Sequence, residues 1–308
     1  MIQLYLPIAG MSVDAVLLLA LGGIVGVLSG VFGVGGGFLI TPLLIFIGVP
    51  PAIAVASSAN QLVGGSISGV IAYWRRGSVD FKMGAYLIAG GFAGSAAGVW
   101  VFGVLRRLGQ VDLAINLSYV VLLATLGSLM LVESVRTMLR RRRPNSARRK
   151  LHQHTWLHGL PWKTRFQRSR LYISACMPVA LGAGIGVLSA ILGVGGGFAL
   201  VPAMIYLLGM PAVVVPGTSL FQSIFVAASV TLLQAYENHT VDVVLALLLL
   251  VGGTIGAQIG ARIGTHLRGE QLRALLALIV LSVAGKIVSD LVVAPDEPYS
   301  LVPLPGSY

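Results

Sequence analysis

The sequence is short of charge and nearly free of cysteine. Of its 308 residues, 10% are charged and 56% are hydrophobic, and the mean hydropathy is +0.90. Because soluble domains carry about 25% charged residues, this composition excludes an ordinary soluble protein and indicates an integral membrane protein. The single cysteine, Cys176, excludes an internal disulfide and a cysteine-ligated metal cluster. Neither a metal site nor a cofactor is predicted.

Acidic residues are also scarce. All ten Asp and Glu residues fall in loops or near the ends of the apolar stretches. We therefore expect no carboxylate at the bilayer midplane, where one would bind a cation or relay a proton. An intramembrane hydrolase would need a base beside a serine, and His266, the histidine closest to an apolar stretch, lies near the end of that stretch. No catalytic residue is predicted, and the protein is not expected to be an enzyme.

Ten apolar stretches dominate what is present. Eight of them approach the roughly 20 residues that a helix needs to cross a bilayer. These eight are residues 15–33, 52–74, 83–105, 112–135, 172–192, 212–235, 243–266 and 271–291. Two others, 37–48 and 198–209, would span only about 18 Å as helices, which is less than the hydrocarbon core. The predicted fold is an all-α integral membrane protein in which these two short helices are broken or re-entrant.

The strip GVGGGF occurs twice, at residues 33–38 and 193–198. Ten of the thirteen residues from Gly26 to Phe38 are identical to those from Gly186 to Phe198, so the chain contains an internal repeat. Each repeat holds about five hydrophobic segments. The predicted organisation is an N-terminal transmembrane repeat (1–135), a basic linker (136–170), a C-terminal transmembrane repeat (171–295) and a short tail (296–308).

The linker carries twelve of the 21 Lys and Arg residues. Positive charge concentrated between apolar segments marks a cytoplasmic loop, which can also contact anionic lipid head groups. Since the net charge of +11 is concentrated here, it does not indicate a nucleic-acid-binding protein.

Charge also predicts how each repeat is oriented in the membrane. Basic residues mark further inside loops at Arg75, Arg76, Lys82, Arg262, Arg268 and Arg273. The loop 236–242, which corresponds in the second repeat to the loop carrying Arg75, contains no Lys or Arg and is assigned to the outside. The repeats are therefore predicted to be inverted, with both termini outside. Arg106 and Arg107 are the clear exception to the rule that basic residues lie on the inside, because this topology places them outside. Inverted repeats with interrupted helices are typical of secondary transporters, whose substrate site lies where the repeats meet.

Uncharged polar residues recur at matching places in the two repeats. Hydroxyls and an amide at these places, together with the free N–H groups where glycine opens a helix, suit an anion better than a cation. The candidate substrate-binding residues are Gly35, Gly36, Gly37, Ser57, Ser58, Asn60, Gln61, Gly195, Gly196, Gly197, Thr218, Ser219 and Gln222. The alternative is that these residues only pack helices closely or join them by hydrogen bonds.

The residues that carry these signals resemble the TauE/SafE sulfite exporter family. They are the doubled GVGGGF strip, the segments ASSANQ (56–61) and GTSLFQ (217–222), and the GG..G...G pattern at 90–98 and 252–260. The resemblance covers nearly the whole chain except the linker. It implies a carrier in the bacterial inner membrane that moves sulfite or small organosulfonates outward by alternating access, with a site built from the residues named above.

Several alternatives stay open at this stage. Sulfite gains a proton near neutral pH, so proton coupling can travel on the substrate itself. An anion channel, or a transporter of another small organic anion or an amino acid, would also fit the residues. Phe221 stands where the first repeat has Asn60, so the two sides of the site are not equivalent. No oligomeric state is predicted.

Overall fold

The computed structural model describes residues 3–32, 37–141, 163–169, 171–264 and 269–292. Ten α-helices lie in these ranges: α1 (Ala15–Phe32), α2 (Gly37–Phe46), α3 (Pro51–Arg75), α4 (Phe81–Arg107), α5 (Val111–Arg141), α6 (Cys176–Leu192), α7 (Gly197–Tyr206), α8 (Val215–Leu233), α9 (Val243–Gly264) and α10 (Gly269–Val292). A π-helical turn, Gln234–Asn238, continues α8. Five helices therefore belong to each half of the chain.

The predicted fold class, an all-α membrane protein, is confirmed. Among the described residues, five helical segments are long and apolar enough to cross a membrane: Phe81–Arg107, Val111–Val132, Val215–Asn238, Val243–Gly260 and Leu275–Val292. The short helices predicted after the two glycine strips are also present, because α2 and α7 have ten residues each.

Two β-hairpins were not predicted. Strand β1 (Gln3–Leu6) pairs antiparallel with β2 (Met11–Asp14), and β3 (Lys163–Phe166) pairs in the same way with β4 (Leu171–Ser174). The two hairpins lie 160 residues apart, which is the offset of the glycine strips, so they are equivalent parts of the repeat. The second one begins inside the segment 136–170 that we assigned to the linker. Strands of four residues are too short to give a clear periodicity.

The helices of the two repeats pack against each other reciprocally. The most extensive pairs are α1 with α9 and α4 with α6, so the first helix of each repeat packs on the fourth helix of the other. The third helices, α3 and α8, also pair, as do the fifth helices, α5 and α10. Such exchange of equivalent contacts is what a two-fold relation between the repeats produces. The inversion of the repeats across the membrane stays a prediction.

Glycine allows the backbones of these helix pairs to approach closely. A Cβ atom added at Gly94 of α4 would lie 2.0 Å from the carbonyl oxygen of Ala183 on α6. On the other side of the molecule, a Cβ atom at Gly256 of α9 would lie 2.1 Å from the carbonyl oxygen of Gly23 on α1. Small residues that bring backbones together are the usual basis of helix association in membranes. The GG..G...G patterns of the sequence therefore serve the contact between repeats.

We predict that Gly94→Ala lowers the thermal stability of the detergent-solubilised protein. The added methyl group has no space between α4 and α6, and overpacking of this kind costs about 1–3 kcal/mol. Thermal unfolding followed by intrinsic fluorescence measures the effect. Gly184→Ala is the matched control, because Gly184 lies on the exposed side of α6 with no atom within 4 Å of the added Cβ. Equal melting temperatures for the two variants would contradict the prediction.

Candidate functional site

The two glycine strips end where the short helices begin, and these helices meet. The rings of Phe38 and Phe198, the second residues of α2 and α7, stack with their centroids 4.2 Å apart. In the second strip, Gly195 and Gly196 have left-handed backbones, with φ of +62° and +78°. No side chain caps the start of α7 at Gly196. The prediction that this strip interrupts a membrane helix is thus confirmed, since four residues separate Leu192, the end of α6, from Gly197, the start of α7.

Of the first strip, residues 33–38, the structure describes only Gly37 and Phe38. Gly37 begins α2, and a Cβ atom there would lie 2.5 Å from Cδ1 of Leu62 on α3. Gly35 and Gly36 lie outside the described residues. Gly37 therefore packs the start of α2 against the helix that carries Gln61, one position before Leu62.

The predicted residues Ser57 and Thr218 make equivalent hydrogen bonds between the repeats. Ser57 Oγ accepts a hydrogen bond from the backbone N–H of Asp242 at 3.2 Å. Thr218 Oγ1 accepts one from the backbone N–H of Asp80 at 3.0 Å. All four residues are buried. Each hydroxyl thus satisfies a backbone N–H of the other repeat.

The two aspartates were missing from the sequence-based site. Asp80 Oδ1 accepts from the N–H of Met83 and so caps α4, while Oδ2 accepts from Ser169 Oγ at 2.6 Å and from the Ser169 N–H at 3.1 Å. Asp242 caps α9 and accepts from the N–H of Ile8 at 3.0 Å. Each aspartate therefore joins a helix start to the hairpin turn of the other repeat. The dipeptide VD at matching places in the two halves was the available signal.

Ser58 and Ser219 are also engaged within the protein. Ser58 Oγ lies 2.6 Å from Oγ1 of Thr41 on α2 and 3.0 Å from the carbonyl oxygen of Val55. Ser219 Oγ donates to the carbonyl oxygen of Pro216 at 3.0 Å. Asn60 is half-buried. The contact between Ser58 and Thr41 joins α3 to α2, whereas Ser219 bonds within its own helix, α8.

The paired glutamines are the predicted residues that keep unsatisfied polar atoms. Gln61 is 5% exposed, and its Nε2 donates to the carbonyl oxygen of Gly22 at 3.2 Å. Its Oε1 has no partner among the described residues. Gln222 is fully buried, and within that part of the chain neither amide atom has a partner. Since buried polar groups are nearly always paired, both amides are candidates for binding a ligand.

Gln61 lines a small cavity between the repeats, and this cavity adjoins a larger opening. The cavity, here the Gln61 cavity, measures about 10 Å³, and its lining includes Gly26, Ser29, Gly37, Gln61, Gly65, Ser66 and Ala257. The opening, here the vestibule, measures about 610 Å³ and shares Ser29, Gly65 and Ala257 with the cavity. Its lining includes Tyr73, Arg75, Arg76, Gln258 and Arg262. Among its described lining residues there is no Asp or Glu.

The end of α8 remote from the vestibule is held to the end of α4. Nη1 of Arg106 on α4 donates to the carbonyl oxygen of Asn238 at the end of the π-helical turn. Between Gln222 and this end, α8 contributes Val226 and Val230 to a buried apolar cluster, here the apolar plug, with Ala59, Val99 and Ala190. Arg106, which breaks the charge rule, thus has a structural role.

The geometry defines a multi-pass membrane protein with two related halves and an uncharged polar cavity between them. Among the described residues, no group of three His, Cys, Asp or Glu side chains is placed to hold a metal ion. The family model described as Sulfite exporter TauE/SafE matches residues 18–287. The chain belongs to the TauE/SafE sulfite exporter family. It is therefore a membrane transporter and not an enzyme.

Curated relatives agree with this assignment. The probable membrane transporter protein YjnA of Bacillus subtilis is 28% identical over 285 residues, which cover 90% of this chain and 100% of that protein. A probable membrane transporter protein of Xylella fastidiosa (strain Temecula1) is 30% identical over 278 residues, which cover 87% of this chain and 92% of that protein. No solved structure gives a significant match.

We predict that Thr218→Val lowers protein stability more than Thr218→Ser does. Valine has the shape of threonine but cannot accept the hydrogen bond from the buried Asp80 N–H, and such an unsatisfied donor costs about 1–3 kcal/mol. Serine keeps the acceptor. The melting temperatures of the two purified variants measure the difference. Equal stability would show that the Asp80 N–H finds another partner.

Proposed function

We propose that the protein exports sulfite or a small organosulfonate across the bacterial inner membrane by alternating access. The vestibule carries this proposal, because its charged lining residues are all arginines, at positions 75, 76 and 262. Guanidinium groups bind oxyanions through paired, charge-assisted hydrogen bonds. A volume of about 610 Å³ lies within the range of small-ligand sites.

The same arginines support an orientation. Positive charge favours the cytoplasmic side, so the vestibule and the linker would face the cytoplasm and both termini the periplasm. An anion in the cytoplasm would then meet a positive opening that leads towards Gln61. The linker charge would lie at the inner leaflet, where it can contact anionic lipid head groups. This arrangement supports export as the working direction.

The opposite side of the protein supports alternation between two states. The vestibule is lined by Gly30, Gly65 and Gly69. The repeat places Ala190, Val226 and Val230 at the equivalent positions of the second half, and all three belong to the apolar plug. The small residues line the larger opening, whereas the opening beside the plug measures only about 240 Å³, and its lining includes Val99 and Glu237. A carrier has to open alternately to the two sides of the membrane. If the plug opens while the vestibule closes, the anion is released outside.

Gln61 and Gln222 fit the centre of such a cycle. Each lies against a glycine of the other repeat, since a Cβ atom would come within 2.4 Å of Gln61 Nε2 from Gly253 and within 3.3 Å of Gln222 Nε2 from Gly91. Only Gln61 donates to a backbone carbonyl here, although its counterpart occupies the matching place. When the protein opens to the other side, Gln222 would donate to a backbone carbonyl and Gln61 would lose its bond to Gly22.

We expect purified protein in proteoliposomes to transport sulfite or a sulfonate, tested with sulfite, sulfoacetate, taurine, thiosulfate and sulfate. Gln61→Ala and Gln222→Ala should each weaken anion binding.

Arg76→Gln should raise the KM for sulfite about fivefold, because one charge-assisted contact in the vestibule is lost. Lys286→Gln, which removes an exposed ion pair with Asp290 on α10, is the control.

Transport of a neutral amino acid without any sulfite or sulfonate would contradict the substrate class. Single-channel currents together with a lack of counterflow would instead identify an anion channel. Unchanged affinity in both glutamine variants would move the binding site elsewhere.

We predict that the apolar plug is the barrier on the periplasmic side. Ser68 lines the vestibule, and Ser229 is its counterpart in the second repeat. In a Cys176→Ser background, Ser68→Cys should react with a membrane-impermeant thiol reagent from the cytoplasmic side, whereas Ser229→Cys should react slowly from outside. Adding Val226→Gly and Val230→Gly should accelerate the outside reaction about tenfold or more, because the barrier side chains are removed. Fast labelling of Ser229→Cys without these changes would contradict the prediction.

A further inference from the structure

The orientation of the Gln61 amide determines what the cavity offers to a ligand. Nε2 donates to the carbonyl oxygen of Gly22 at 3.2 Å, and the reversed amide would place two acceptors against each other. Oε1 is therefore the atom left without a partner among the described residues. A carboxamide oxygen can only accept a hydrogen bond. The fixed polar group of this cavity is thus an acceptor.

The other polar atoms of the cavity can adapt to a ligand. Ser66 is 1% exposed, and within the described part of the chain its Oγ has no hydrogen-bond partner. Ser29 lines both the cavity and the vestibule. A serine hydroxyl can donate or accept by rotating, so neither serine conflicts with an anion. Of these three side chains, Gln61 alone requires a hydrogen-bond donor on the ligand. Without one, its buried amide oxygen stays unpaired.

The size of the cavity limits which part of a ligand can reach Gln61. Its volume of about 10 Å³ holds roughly one water-sized group. The vestibule, whose lining includes Ser29 and Gly65 of the cavity, has space for the remainder of a small anion near its arginines. A ligand would therefore present one small group to Gln61 while its negative charge faces the arginines.

We propose that the Gln61 cavity selects small anions that carry a hydrogen-bond donor of their own. This inference rests on the proposed function, and it names the kind of sulfur anion that the site takes. Hydrogen sulfite has a proton to donate, whereas the sulfite dianion has none. Among sulfonates, a hydroxyl or ammonium group supplies the donor, whereas a plain alkyl chain does not. A site that selects hydrogen sulfite would carry one proton outward with each sulfite.

A matched pair of sulfonates tests the inference directly. Isethionate and ethanesulfonate have the same charge and nearly the same size, and only isethionate carries a hydroxyl donor. In proteoliposomes that transport radiolabelled sulfite, isethionate should inhibit at a concentration at least about fivefold lower, as expected for one hydrogen bond to a buried acceptor. The KM for total sulfite should also fall as the pH is lowered through neutrality.

Variants at the two glutamines show whether Gln61 is the origin of the preference. Gln61→Leu removes the acceptor with little change in volume and should bring the two sulfonates to equal inhibition. Gln222→Leu, the matched change outside the cavity, should keep the preference for isethionate in the transport that remains when the sulfonates are added on the vestibule side. Size-exclusion chromatography and melting temperatures check that both variants fold, and the comparison of sulfonates on the unmodified protein does not depend on either.

The outcomes separate this inference from the proposed function. Sulfite transport with equal inhibition by isethionate and ethanesulfonate overturns the donor requirement and leaves the exporter proposal standing. A preference for isethionate that survives Gln61→Leu shows that another residue makes the selection, and this also overturns the inference. If sulfite is not transported and neither sulfonate binds, both proposals are wrong.

Discussion

Close backbone contact between the two repeats is the constraint on which the structure depends. The pairs α1–α9 and α4–α6 each join one repeat to the other, and their glycines leave no space for a side chain. A Cβ atom at Gly90, for example, would lie 1.9 Å from the carbonyl oxygen of Val179. Within a bilayer, such packing replaces the hydrophobic driving force that holds soluble cores together. The same glycine faces place Gln61 and Gln222 between the repeats.

The two repeats pack nearly symmetrically, but side chains at equivalent positions differ in volume. The two ends of the protein therefore differ. Equivalent positions hold glycine beside the vestibule and alanine or valine in the apolar plug. Charge follows the same division, because Arg76 stands at the vestibule where the second repeat has Glu237. A perfectly symmetric sequence would offer the same surface at both ends, and neither end would be distinguished for anion uptake. The departures from the repeat therefore carry the proposed direction of transport.

Much of the fold was predictable, and less of the candidate site. Hydropathy located the ends of the ten helices to within six residues, and the repeat located the two short helices. The β-hairpins were missed because each strand has four residues. For the site, the sequence singled out Ser57 and Thr218 as polar groups at depth. It did not show that their hydroxyls bond to the starts of α9 and α4, because those partners lie 185 and 138 residues away in the chain.

By itself, the sequence determined the membrane class, the internal repeat, the short helices and the resemblance to the family. These properties depend on local composition and on comparing one half of the chain with the other. Tertiary structure alone decided which buried polar atoms form hydrogen bonds within the protein and which stay unpaired. The Gly22 carbonyl fixes the Gln61 amide, so an acceptor is left unpaired at the cavity. That outcome depends on the relative position of α1 and α3, which packing sets and no local pattern encodes.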